Sequence, residues 1–304
     1  RFPSVLDLLE HLQGDLRTRP FVLPYLNPIT PLVLNEGTVS KLTIALERGL
    51  PVIFSSYGMA GATTPITPVG ALALLNAELL AGLTLAQLVR EGAPVILGAL
   101  PAFFDMRGAG SFYDMHSYTL NLACAEMMDW YHLPHAGTSG SGMGWGPDLL
   151  TAAHQWANHL TSCLGKVGLV PFVGDVLGSK AFSPATMVYA DEAIAQARRF
   201  ARGFSLDEHP HLLEEIASAG PGGDFLTVPS TLERCHRAYY RSHLWQYLTL
   251  EEWQAQERPN PATHLRSHTT ELLNELAPPQ DCADLVAQGE AFIHRQQKNQ
   301  EELN

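Results

Sequence analysis

The residues best suited to chemistry crowd into a few short stretches. Phe103, Phe104, Asp105, Arg107, Phe112, Tyr113, Asp114 and His116 bring four rings, two acids, an arginine and a histidine into one segment. Ring faces beside a carboxylate are what a quaternary ammonium ligand needs, because that cation has no N–H to donate and is held by π-faces and charge. The alternative for some of these rings is packing under a loop. A second stretch, Ser55-Ser56-Tyr57, runs into small residues from Gly58 to Pro65, which let a ligand come close or simply make a tight connection. In a third, His135 precedes a glycine-rich run from Gly137 to Gly146, which reads as a lid with Trp145 as a ring closing over a ligand. Asp175, after Gly174, is either a catalytic carboxylate at a strand end or a cap. His132 and His135 are too few for zinc, which takes three or four protein ligands, and His154 and His159 read as surface residues.

Such residues need a scaffold that gathers loops at one end. Short β-rich runs alternate with helical stretches, as in βα units. The expected strands are 21–25, 51–56, 94–97, 133–135, 169–173, 186–189 and 225–228. Pro51-Val52-Ile53-Phe54 and Pro94-Val95-Ile96-Leu97 are apolar without alternation, as in strands covered on both faces of a parallel sheet. Helices are expected over 38–48, 67–81, 117–131, 148–163 and 191–203, with Thr38, Thr67 and Asp191 as starting signals and Pro68 at a first helical position. No GxGxxG or GxxxxGK[ST] follows a strand, so Rossmann and P-loop readings lose their support. An α/β fold of the (β/α)8 TIM-barrel type is expected over residues 1–229, incomplete at its N-terminus, with a helical extension over 230–304. In a barrel of this kind, function sits at the strand C-termini.

Composition narrows the partners. The chain has 304 residues and a formal net charge of −12, which repels phosphate backbones and anionic lipid, so nucleic acid and membrane surfaces are excluded as partners. Cys124, Cys163, Cys235 and Cys282 form no CxxC pair, which fits a reducing cytoplasm better than a disulfide framework. The missing initiator Met, with a helical pattern from Val5 to Leu16, reads as a fragment of a longer chain.

Several segments also carry a resemblance. Pro28-Ile29-Thr30-Pro31-Leu32, Gly61 to Thr67 followed by Gly70-Ala71 and Asn76-Ala77-Glu78, Gln87-Leu88-Val89 and Gly92 to Val95 occur in order. Asp105-Met106-Arg107-Gly108, Tyr131 to Pro134, Asp191-Glu192 and Gly220 to Leu226 complete the series. Together they resemble the trimethylamine and glycine betaine corrinoid methyltransferases, matching about the C-terminal two-thirds of such proteins. The resemblance implies transfer of a methyl group from a quaternary or tertiary amine to Co(I) of a corrinoid carried by a separate cognate protein, with no metal bound by the barrel itself and a homo-oligomeric enzyme. Trimethylamine-demethylating members carry pyrrolysine in the loop that here reads Ser139 to Pro147, and only standard residues stand there, so a betaine-like substrate is implied.

On that reading Tyr57, Phe104, Tyr113 and Trp145 are cage candidates, and Asp105 and Asp175 offset the cation's charge. His116, His135 and Arg107 bind a substrate carboxylate or orient the loop, with Asp105, His116 and Asp175 as the catalytic set. Two alternatives stay open: a barrel that binds quaternary amines without catalysis, and a zinc-assisted corrinoid methyltransferase.

Overall fold

A computed structural model describes residues 1–137, 142–206, 211–277 and 282–302. Helix α1 (Phe2–Gln13) is followed by the short strand β1 (Tyr25–Leu26), α2 (Glu36–Glu47), β2 (Val52–Ala60), α3 (Pro68–Val89) and β3 (Val95–Asp105). A hairpin strand β4 (Gly110–Phe112) leads to α4 (Met115–Trp130), β5 (His135–Ala136) and α5 (Leu149–Leu164). Then come β6 (Asp175–Val176), β7 (Ala181–Phe182), α6 (Pro184–Arg202), α7 (Leu212–Ala219), α8 (Pro229–Ala238), α9 (Leu250–Ala255), α10 (Pro261–Glu275) and α11 (Ala283–Glu302).

Strands β1, β2, β3 and β5 pair in parallel and in chain order, and Leu169 extends the sheet by one bridge to Ala136. The alternation of strand and helix is therefore a run of βα units with α2, α3 and α4 as crossovers. Among the described residues the sheet is open, ending at β1 on one side and at the Leu169 bridge on the other. What is established is an α/β fold on a parallel sheet.

Five expected strands differ. Of 21–25 only Tyr25, and of 133–135 only His135, is in a strand. Residues 186–189 lie inside α6, because Ser183 accepts from the Thr186 amide and Pro184 follows at the first helical position. That start signal outweighs the β-propensity of Val188 and Tyr189. Residues 225–228 pair with no strand and expose Phe225 and Leu226. Of 169–173, only Leu169 joins the sheet. Helix starts also move: α2 is capped by Asn35 rather than Thr38, and α4 by Asp114, whose carboxylate accepts from the Ser117 amide in a capping box.

The two faces of β2 divide the work. Phe54, Ser56 and Gly58 turn toward α3: a Cβ on Gly82 would fall 2.1 Å from the Phe54 ring, Glu78 bonds Ser56, and Leu75 abuts Gly58. Strand alternation sends Ser55 and Tyr57 to the other face. Helix α3 meets the sheet through Ala71, Leu75, Leu79, Gly82 and Ala86, a stripe at helical spacing. By length and composition alone α3 could cross a membrane. Its packing against β2 and β3 and its buried Glu78 make it a core helix here. At the chain ends, His11 of α1 stacks on Phe292 of α11, with ring centroids 5.0 Å apart.

Candidate functional site

The C-terminal ends of β1, β2 and β3 open onto a pocket of about 430 Å³. Tyr25, Asn27, Thr30, Tyr57, Leu100 and Phe172 line it. Tyr57 and Leu100 are register partners on β2 and β3, so both project from one face of the sheet. Tyr25, one strand over, donates to Ser55 Oγ at 2.9 Å and meets Phe172 edge-on at 6.4 Å. Asn27 is fixed by donating to the Ser55 carbonyl, while its own carbonyl accepts from Thr38.

Behind this rim stands a second layer of rings. Tyr113, Tyr118 and Ala102 form a buried cluster against which Tyr57, Met59 and Met143 pack. The Tyr113 phenol is raised well above the ordinary tyrosine range, first by burial and then by the neighbouring Tyr57 phenol. Burial also raises Tyr118, helped by the Asp114 charge, and its hydroxyl bonds His154 Nδ1 at 3.0 Å. Tyr113 and Tyr118 are therefore neutral at physiological pH and offer uncharged rings and hydroxyls.

Of the residues singled out in the sequence, Tyr57 and Tyr113 are brought together, and Met143 from the glycine-rich run joins them. Residues 138–141 of that run lie outside the described residues. Its later part is tied down where Leu177 donates to the Gly144 carbonyl and Gly178 to that of Gly142. Trp145 is 82% exposed, its amide donating to Asp148. Asp105 accepts from the amides of Arg107 and Gly108 at 2.9 and 3.0 Å, bracing the β3–β4 turn. Arg107 is exposed on that turn, Phe104 is half-buried opposite Ser111, and His116 sits edge-on to Phe103 at 6.4 Å. Asp175 opens the β6–β7 hairpin, and its amide donates to the carbonyl of the pocket residue Phe172.

His135 lies buried at the start of β5 with Nδ1 at 3.0 Å from the Leu97 carbonyl, and burial takes it down to about 4 despite that bond. His159, read from sequence as a surface residue, is instead buried and driven to about 4 by desolvation. Helix α5 inverts the usual rule by burying Thr151, Gln155, Asn158 and Ser162, a polar stripe at helical spacing. That spacing was the available signal, and polarity concealed it. Sequence reasoning also passed over Tyr25 and Phe172, although both lay in expected strands, because their place on the pocket depends on partners distant in the chain.

A larger cleft of about 930 Å³ runs between residues 242 and 268, with Trp245, Trp253, His264 and His268 in its lining. No strand end contributes to it, so the smaller pocket is the better candidate for chemistry on a parallel α/β scaffold.

Residues 3–301 match the family described as trimethylamine methyltransferase (MTTB). The chain belongs to this family. It is 29% identical over 288 residues to a glycine betaine methyltransferase of Desulfitobacterium hafniense (strain Y51), which covers 93% of this chain and 59% of that protein. Trimethylamine methyltransferase MttB of Desulfitobacterium hafniense (strain DSM 10664 / DCB-2) is 27% identical over 260 residues, 84% of this chain and 52% of its own length. Trimethylamine methyltransferase MttB1 of Methanosarcina mazei is 27% identical over 222 residues, 72% and 44% respectively. The chain spans about half the length of the curated relatives it matches.

Proposed function

We propose that this chain takes part in moving a methyl group from a quaternary, betaine-like amine, or from a tertiary amine, to a corrinoid carried on a partner protein. The observation that carries the reading is the convergence on one pocket of Tyr25 from β1, Tyr57 from β2 and Phe172 from the loop after Leu169, with Tyr113 behind Tyr57. Phenol and benzyl rings hold a permanent cation by their faces, whose quadrupole attracts the positive charge. The sheet is read as part of a (β/α)8 barrel over residues 1–229, with 230–304 as a helical extension. Asp175, whose backbone is tied to Phe172, is assigned the role of offsetting the cation's charge at the rim.

A pocket of about 430 Å³ suits a small amine and not a corrin ring, so the corrinoid belongs on the partner in this reading. When bound nearby, Co(I) supplies the nucleophile for methyl transfer. What this chain contributes is orientation and desolvation: the rings fix the nitrogen so that one methyl faces the pocket opening. A quaternary substrate leaves as a neutral amine, so no general acid is needed from the tyrosines.

The test has two stages. Calorimetric titration with glycine betaine and with trimethylamine measures binding, and addition of a Co(I) corrinoid protein then follows cobalt methylation by absorbance. Binding followed by methylation supports the proposal. Binding without methylation supports a non-catalytic amine-binding protein, and absence of binding removes the reading.

A further inference from the structure

We propose that Glu78 is the buried counter-charge for the cation in the tyrosine pocket, acting through Thr30 without touching the ligand. The inference rests on the functional reading above. Glu78 is only 3% exposed, on the face of α3 that meets the sheet. Its carboxylate accepts three hydrogen bonds: from Thr30 Oγ1 at 2.8 Å, from the Leu32 amide at 2.6 Å and from Ser56 Oγ. The Leu32 amide can only donate, and an acceptor-only carboxylate lets both hydroxyls donate to the same group. Among the described residues no Lys, Arg or His forms an ion pair with it.

A buried charge without an opposite partner is costly, and hydrogen bonds offset only part of that cost. The missing positive charge has a place to sit. Thr30 bridges the two sites, its hydroxyl on Glu78 and its residue in the lining of the pocket that Tyr25, Tyr57 and Phe172 enclose. Ser56, a second donor, precedes Tyr57 on β2. A permanent positive charge in that pocket is thus separated from a fixed negative one by the half-buried Thr30 side chain. At such a separation and an intermediate effective dielectric, the attraction amounts to about a tenfold preference for a cation over a neutral ligand of the same shape.

The experiment compares glycine betaine with 3,3-dimethylbutanoate, in which a neutral tert-butyl group replaces trimethylammonium. Calorimetry is run on the wild-type chain and on Glu78→Gln, which keeps the shape and can still bond Thr30, Leu32 and Ser56. Wild type is expected to favour glycine betaine by about tenfold, and the variant to lose about five- to tenfold for it while binding the neutral-headed analogue unchanged or slightly better. Equal losses for both ligands, or none for glycine betaine, overturn the counter-charge role and leave the pocket reading intact. Should the variant fail to fold, wild type alone decides: equal affinity for the two ligands overturns the proposal. Binding of neither ligand removes the pocket reading along with it.

Discussion

The Tyr57 ring, carried on β2, packs against the buried cluster of Tyr113 and Tyr118, and Tyr113 stands just ahead of the cap of α4. This contact joins the sheet to the loop after the β3–β4 hairpin and leaves the Tyr57 ring on the pocket wall. Tyr57→Phe keeps the π-face and its packing on Tyr113, and is expected to hold glycine betaine within about threefold of wild type with stability changed by less than about 1 kcal/mol. Tyr57→Ala removes the face as well and should weaken binding by about tenfold. Calorimetry and urea denaturation of the two variants check both halves.

Much of this arrangement is legible in the residues. The continuous apolar runs after Pro51 and Pro94 mark β2 and β3, and the strand ends do point Tyr57 at a pocket. Sequence stops being informative where structure depends on distant partners. Asp105 looks like a free carboxylate in the sequence, but its oxygens are committed to two amides of its own turn. Glu78 lies within a segment that carries the family resemblance, yet only the fold shows that its partners are Ser56 and the Thr30 loop. Tyr25 reads as the end of the expected strand 21–25 and gains its place from pairing beside Ile53.

The buried imidazoles predict acid lability. His135 and His159 are both lowered from 6.5 to about 4 by burial, so the folded state favours their neutral forms. Between those values the unfolded chain binds more protons. The stabilisation is accordingly complete above about pH 6.5 and is lost as the pH falls toward 4, by roughly 3 kcal/mol for each histidine. Urea midpoints measured from pH 7.5 down to 5 should drop, and His159→Asn should flatten that slope. An unchanged slope in the variant would assign the pH dependence to other groups.

At Gly82 two effects of opposite sign compete. Alanine in a helix interior is intrinsically better than glycine by about 1 kcal/mol. The added Cβ would nevertheless fall 2.1 Å from Cε1 of Phe54, a fully buried ring with no room to withdraw. Overpacking of this kind costs about 1 to 3 kcal/mol or more, so Gly82→Ala should destabilise the protein on balance. Thermal melting decides the sign, and a rise in the midpoint would show that α3 can move away from the sheet.

Asp148 couples a helix cap to the site. Its carboxylate accepts from the Thr151 amide at 2.8 Å and from the Trp145 amide at 2.7 Å, closing the first turn of α5 and holding the end of the glycine-rich run. Slight burial opposes ionisation, but these bonds and one from Gly146 keep the carboxyl below its ordinary range. Within the same run, Gly144 lies so close to Thr151 that a Cβ would fall 1.6 Å from its hydroxyl oxygen, and Met143 packs beside the tyrosines. Asp148→Ala should cost about 1 to 2 kcal/mol, whereas Asp148→Asn, an equally good cap, should recover most of it. If the run also helps to shape the pocket, amine affinity should fall in the alanine variant and return in the asparagine variant. Parallel denaturation and calorimetry separate a cap that only stabilises α5 from one that also holds Met143 against the rings.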